Sequence, residues 1–199
     1  MRLKVVIKPI FFAITAILIS PVTFCYFALA QIANRDELIS SFSQLLSLLP
    51  GKISCYLRSG FYRFTLTSCS PDAIICFGTL LSQRDTEIGS GAYIGPQCNI
   101  GRSSIGKNTL LGSGVHIMSG KGQHKFDDLS TPIREQGGSF EKVSIGENCW
   151  LGNGTLVMAN IGNNCIVGAG SVVTKALPAN SIAHGNPCHV VQYRRNEHG

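Results

Sequence analysis

Along residues 86–117 and again along 143–173, an aliphatic residue followed by glycine returns about every six positions: Ile88-Gly89, Ile94-Gly95, Ile100-Gly101, Ile105-Gly106, Leu111-Gly112, then Ile145-Gly146, Leu151-Gly152, Ile161-Gly162 and Val167-Gly168. Four residues after many of these aliphatics stands a small side chain: Ala92, Cys98, Thr109, Cys149, Thr155, Cys165 and Ser171. A period of six is too short for a helical repeat. It suits one flat strand and a tight corner, with the aliphatic pointing inward and glycine admitting backbone angles that other residues avoid. Three such units close one triangular coil, and the small residues have to fit the narrow prism beside the aliphatics. No coil buries its inner face alone, so stability must come from stacking. The pattern predicts a mainly β solenoid over residues 71–177, interrupted by a polar loop over 118–142 and closed by a C-terminal cap and tail over 178–199.

The N-terminal third follows a different pattern. Arg2, Lys4 and Lys8 precede an uncharged stretch over residues 10–30 that is long enough to enter a bilayer. Three geometries are open for residues 1–34: cleavage after Ala28-Leu29-Ala30, a spanning helix, or a re-entrant hairpin broken at Ser20-Pro21, where proline removes a backbone donor. Over residues 35–70, Leu38, Phe42, Leu45, Leu46, Leu48 and Leu49 give a helix one apolar face that Pro50-Gly51 ends. The next stretch mixes Tyr56, Leu57, Phe61, Tyr62 and Phe64 with Lys52, Arg58 and Arg63, which suits a helix at headgroup level. The alternative is a helical cap over the first coil of the solenoid.

The formal charge of +6 and pI near 9.0 raise the question of nucleic acid, but only 14% of residues are charged and no long basic run or aromatic-basic alternation occurs. The excess suits an anionic membrane surface and a phosphorylated ligand instead. The eight cysteines show no metal-type pairs, and Cys98, Cys149 and Cys165 fall in inward slots as core fillers, which points to a reducing compartment. Cys69 and Cys76 are the pair to watch if the chain is secreted.

The loop over 118–142 breaks the repeat without breaking the stack, and a polar excursion of that length on a rigid scaffold usually carries function. It contains Gln123-His124-Lys125-Phe126-Asp127-Asp128. Before it stands Gly114-Val115-His116-Ile117, and after it Ile145-Gly146-Glu147-Asn148-Cys149-Trp150-Leu151-Gly152. These motifs resemble those of the hexapeptide-repeat acyltransferases, in the sugar and polysaccharide O-acetyltransferase branch with a membrane-associated N-terminus. The resemblance covers about residues 74–191. It implies a left-handed parallel β-helix, an exception to the usual right-handed crossover, and makes His124, rather than His116, the general base. The chemistry agrees, since attack of a hydroxyl on a thioester needs a proton acceptor that titrates near neutrality. Asp127 or Asp128 is the candidate partner for the ring, and His116 and Gln123 are candidates to line the acceptor site. A solvated loop histidine is the alternative.

The resemblance also implies acetyl-coenzyme A as co-substrate, with no tightly bound cofactor and no metal, lying between two β-helices of a homotrimer. Trp150, Gly152, Gly154, Ala169, Gly170 and Ser171 match the donor groove. Lys175 and Arg194 or Arg195 are candidates for the nucleotide phosphates, and Asn186 and Pro187 belong to the closing Gly185-Asn186-Pro187-Cys188-His189 turn, where His189 replaces the usual basic residue. A cytosolic thioester donor favours the re-entrant hairpin and places the protein on the cytoplasmic face of the inner membrane, with lipid and a glycan acceptor as partners and no nucleic acid. Rival readings are N-acetylation of an amino sugar, a serine O-acetyltransferase-like activity, a non-catalytic scaffold, and a metal-dependent hydratase of the carbonic-anhydrase type. The hydratase needs three imidazoles, and only His116 and His124 lie near the loop.

Overall fold

A computed structural model describes residues 2–195, with side chains from Lys8 onward, so the side chains of Arg2 and Lys4 lie outside the described residues. Short strands form three parallel sheets, the faces of a triangular prism. The first stacks Ser68–Cys69, Glu87–Ile88, Ser103–Ile105 and Val143–Ile145, and single bridges at Ile161 and Leu177 extend it. The second stacks Ile74–Ile75, Tyr93–Ile94, Leu110–Leu111, Trp150–Leu151, Ile166–Val167 and Ser181–His184, with His189–Tyr193 closing it antiparallel. The third stacks Leu80–Leu81, Asn99–Ile100, His116–Ile117, Leu156–Val157 and Val172–Val173. This is the mainly β parallel solenoid expected from the repeat, consistent with the left-handed parallel β-helix that the resemblance implies.

Register places like on like: Ile94 sits on Leu111, Leu111 on Leu151 and Leu151 on Val167. All nine aliphatics of the repeat are at most 2% exposed, and each such burial stabilises the stack by about 1.5–3 kcal/mol. The small residues four positions on are as deeply buried. Hydroxyls are tolerated there because they bond to the corner beside them, Thr109 Oγ1 to the Gly146 carbonyl at 2.7 Å and Thr155 Oγ1 to the Gly152 carbonyl at 2.7 Å. Cysteine fills the same slot. Burial pushes the Cys98 thiol up to about 11, and all eight cysteines stand as free thiols.

Two details of the repeat differ from expectation. The glycine after each aliphatic is required by stacking rather than by unusual angles: a Cβ at Gly89 would stand 2.7 Å from the Lys107 nitrogen, and one at Gly95 2.7 Å from the Gly112 carbonyl carbon. The left-handed conformation falls two residues later, at Gly91 (φ 68°), Asn108 (φ 55°), Asn148 (φ 54°) and Asn164 (φ 59°), residue types that tolerate it. The period is also uneven, because the corner from the third sheet to the first is shorter: Val157 is followed by Ile161, and Val173 by Leu177, as the next inward residue.

Three helices close the N-terminal end. α1 (Arg2–Leu29) runs unbroken through Ser20-Pro21, so the hairpin break expected there does not form, and the Ser20 hydroxyl donates to the Ile17 carbonyl at 2.7 Å within the helix. α2 (Arg35–Ser47) starts at Asn34, whose side chain caps Asp36 and Glu37. α3 (Lys52–Thr65) lies over the first coil, α2 lies beside it, and α1 packs on α3. Gly60 permits that close crossing, since a Cβ there would stand 3.3 Å from Ala16 Cα.

The stretch expected at headgroup level is therefore built as a cap, and the solenoid begins at Ser68. Arg58 is wholly buried rather than facing outward. Its Nε donates to the Ile75 carbonyl at 2.8 Å, and one terminal nitrogen donates to the Leu46 and Leu49 carbonyls at 3.0 Å each. A carbonyl of the last turn of α2, at the negative end of its dipole, and that of Leu49 just beyond it thus receive the guanidinium. α1 shows an inverted pattern: Thr15, Thr23 and Tyr26 face the cap, whereas Ile14, Ile17, Leu18 and Phe24 are exposed. Residues Lys8–Leu29 have a mean hydropathy of 2.1, long and apolar enough to cross a membrane by length and composition.

Candidate functional site

The loop over 118–142 leaves the third sheet after Ile117 and rejoins the first at Val143. Its two limbs pair loosely. Glu141 N donates to the Ser119 carbonyl at 2.9 Å, Ser139 N to the Gly122 carbonyl at 2.7 Å, and Lys125 N to the Gly137 carbonyl at 2.9 Å. Between these rungs Gly138 lies so close to the Gln123 carbonyl that any Cβ would collide with it, which fixes the backbone immediately before His124.

Salt bridges hold the shoulders of the loop. Asp85 accepts from Arg102 at 2.7 Å and from Lys142 at 2.5 Å, while Arg102 also donates to the Phe140 carbonyl at 2.8 Å and Lys142 reaches Glu87 at 2.6 Å. Hydrogen bonds from Lys142 and then Arg102 hold the Asp85 carboxyl down to about 2. Sequence reasoning missed this network, because its members are far apart in the chain and meet only when the coils stack.

His124 is exposed on the loop and makes no hydrogen bond among the described residues. Neither candidate partner bonds to it. Asp128 accepts from Ser130 N at 2.8 Å, Ser130 Oγ at 2.6 Å and Thr131 Oγ1 at 2.6 Å, and those hydroxyls hold its carboxyl at about 2. Asp128 therefore builds the turn at the loop tip, and Asp127 remains exposed and uncommitted.

A cleft of about 440 Å³ opens where the loop meets the third sheet, lined by Ser82, Asn99, His116, Ser119, Gln123 and Phe140 among others. The size is that of a small-ligand site. His116 points outward from its strand, directly beside Asn99 in register. The fold thus brings His116 and Gln123 together, whereas His124 follows Gln123 on the loop without lining this cleft. Asn99 and Ser82 were not singled out from the sequence, and the signal for Asn99 was its place one coil before His116 in the same outward column.

The expected donor residues divide among the edges of the prism. Gly152, Gly154, Ala169, Gly170, Asn186 and Pro187 occupy the edge between the second and third sheets, with the indole of Trp150 55% exposed beside it. The Ser171 side chain is wholly buried and donates to the Gly168 carbonyl at 2.6 Å, so it faces the core. Lys175 is exposed at the corner leading back to the first sheet. Arg194 lies on the remaining edge, where its guanidinium donates to the Asn164 carbonyl at 3.1 Å in a polar cleft of about 260 Å³ shared with Asn148, Asn180 and Arg195. No group of three His, Cys, Asp or Glu side chains suited to a metal gathers among the described residues.

Residues 142–175 match the family model described as the hexapeptide repeat of succinyl-transferase. A galactoside O-acetyltransferase of Lactococcus lactis subsp. lactis (strain IL1403) is 34% identical over 137 residues, 56% of this chain and 64% of that protein. The chain thus spans slightly less than two thirds of that relative's length. The crystal structure of a maltose O-acetyltransferase from Clostridium difficile 630 superposes with a TM-score of 0.67 at 24% identity, covering 82% of this chain and 90% of that one. A mutant of an N-acyltransferase from Bacillus cereus, in complex with dTDP-4-amino-4,6-dideoxyglucose and coenzyme A, superposes with a TM-score of 0.54 at 18% identity, over 63% of this chain and 72% of that one. At these identities the two superpositions speak for the fold.

Proposed function

We propose that this chain, a member of the hexapeptide-repeat acyltransferase family, is an acetyl-CoA-dependent O-acetyltransferase of a sugar hydroxyl in a surface-polysaccharide precursor or lipid-linked glycan, held at the cytoplasmic face of the inner membrane by α1. The cleft carries this reading: a cavity of about 440 Å³ where the loop that interrupts the repeat meets the third sheet, with His116, Asn99 and Gln123 on its walls. The relative named for galactoside acetylation supports a sugar acceptor.

His124 is the base in this reading. Its imidazole takes the proton of the acceptor hydroxyl as that oxygen attacks the thioester carbonyl. The tetrahedral intermediate collapses with cleavage of the C–S bond, and the imidazolium returns the proton to the departing thiolate. No acyl-enzyme forms, because no cysteine lines the cleft and Cys98, Cys149 and Cys165 of the repeat are buried core thiols. The acetylated sugar and free coenzyme A leave. Asp127, the acid not engaged by the loop tip, is the partner for the ring.

The donor lies along the edge bearing Gly152, Gly154, Ala169 and Gly170, where the absence of bulky side chains lets its pantetheine approach the backbone. Lys175 and Arg194 stand on the two other edges, so the one whose edge faces this groove in a neighbouring protomer is the one that reaches the nucleotide. This division supports a homotrimer with donor clefts between subunits. A second reading makes His116 the base, favoured by its place on the cleft wall. The test of the overall function is mass spectrometry of surface glycans from cells with and without the gene. A lost O-acetyl group is expected, and an unchanged acetylation profile would reject the proposal.

A further inference from the structure

Two cavities open along one side of α1, each walled in part by the last turn of α3. Lys8, Phe12, Ala16, Ser20, Thr23 and Phe27 follow one another along a single face of α1 at helical spacing. The first, about 530 Å³, is lined by Lys8, Phe12, Arg63, Ser70, Asp72 and Ser90. The second, about 520 Å³, is an apolar trough lined by Ala16, Ser20, Pro21, Phe24, Phe27 and Phe64 among others. Arg63 and Phe64 join the two, with the guanidinium 5.4 Å from the ring centroid.

The mouth holds two cations and one carboxylate. Asp72 accepts from Ser70 Oγ at 2.6 Å, Ser90 Oγ at 2.9 Å and Gly91 N at 3.2 Å, and these bonds hold its proton affinity below the usual range although burial opposes them. Neither Lys8 nor Arg63 makes a salt bridge among the described residues. The mouth is therefore net positive, and the apolar trough lies next to it, since Arg63 lines the one and Phe64 the other. At ~1.5 Å rise per residue the trough from Ala16 to Phe27 is ~17 Å long, close to the ~15 Å half-thickness of a bilayer's hydrocarbon core.

We infer that these adjoining cavities bind one anionic phospholipid, its phosphate between Lys8 and Arg63 and an acyl chain along the trough over Phe24, Phe27 and Phe64. A second copy of the chain is disfavoured as occupant, since it would bring like cations together at the mouth. The inference rests on the membrane placement of α1 proposed above and is independent of acetyl transfer.

The test is native mass spectrometry of the full chain released from detergent, after exposure to phosphatidylglycerol, to phosphatidylcholine with the same chains, or to inorganic phosphate. One phosphatidylglycerol per chain is expected, retained at least tenfold better than phosphatidylcholine. With each basic residue contributing about fivefold at an anionic surface, the double variant Lys8→Gln, Arg63→Gln should lose that preference by ~20-fold. Ser20→Trp, which fills the trough from an exposed position, should abolish retention of both lipids, and Lys107→Gln on the solenoid should change nothing. Equal retention of both lipids, a preference surviving the double variant, or displacement of phosphatidylglycerol by inorganic phosphate alone would overturn the inference. Sedimentation with vesicles of the same two lipids separates it from its premise: vesicle binding without a retained lipid sinks the lipid site alone, and no vesicle binding sinks the membrane placement as well.

Discussion

Replacing Asp85 by asparagine removes the acceptor that draws both shoulders of the loop together. Lys142, at the end of the excursion, and Arg102, on the preceding coil, both reach that carboxylate, and Arg102 also carries the Phe140 carbonyl. The carboxyl lies near 2 instead of its ordinary 3.8, and a displacement of that size is worth ~2.5 kcal/mol in full. Because the side chain is 39% exposed, solvent screening reduces this to about 1 kcal/mol. Asparagine should therefore shift the equilibrium of the shoulders toward the open form about fivefold. The assay is hydrogen exchange of the peptide over residues 139–145, whose amides at Glu141 and Val143 bond to Ser119 and Arg102. The sign with pH follows from the depressed carboxyl: the contribution is complete above about pH 4 and is lost as pH falls through about 2. Wild-type exchange, corrected for intrinsic rates, should approach that of the variant across this window, and kcat of the variant at neutral pH should fall two- to fivefold with donor affinity unchanged. Identical exchange in the two proteins at pH 7 would refute the role of Asp85 as the hub.

Three further outcomes follow from close contacts and buried partners. Arg58→Met leaves the carbonyls of Leu49 and Ile75 without their donor and Leu46 with the Leu49 amide alone. After relief of the buried cation the net loss should be about 3 kcal/mol, read as a fall in Tm of roughly 6–12 °C. Gly138→Ala drives a methyl group into the Gln123 carbonyl; thermal stability should fall by less than ~1 kcal/mol, since the loop can swing away, while turnover drops at least tenfold as His124 moves with Gln123. Gly152→Ala places a methyl against Ala169 Cα at 2.7 Å, and calorimetry should show both an overpacking loss of about 1–3 kcal/mol and weaker coenzyme A binding.

The prism was legible because its rules are local. Ile94, Leu111 and Leu151 announce the inner face, and Cys98 and Thr155 the narrow slot beside it, with no need to know which coil lies above. The loop was legible as an interruption of the same rule. The reason for the glycines was not, since Gly89 and Gly95 answer to backbone on the next coil, and the left-handed positions at Asn108 and Asn148 carried the local signal instead. Arg58 misled for a physical reason: an arginine on an amphipathic helix normally faces outward, and its burial depends on the C-terminal carbonyls of α2 converging with a strand of the first coil. Pro21 misled similarly, because one missing donor interrupts a helix less than packing against α3 holds it straight. The engagement of Asp128 by Ser130 and Thr131 was not readable either, because it depends on the turn at the loop tip.

Turnover of His124→Ala with acetyl-CoA and a sugar acceptor tests most directly whether this one imidazole moves the proton of the acceptor. Thiol release should fall by about 10²–10⁴ with coenzyme A binding nearly intact by calorimetry, while His116→Ala should act mainly on the acceptor KM. Full turnover in His124→Ala, or a comparable collapse of kcat in His116→Ala alone, would contradict that role for His124.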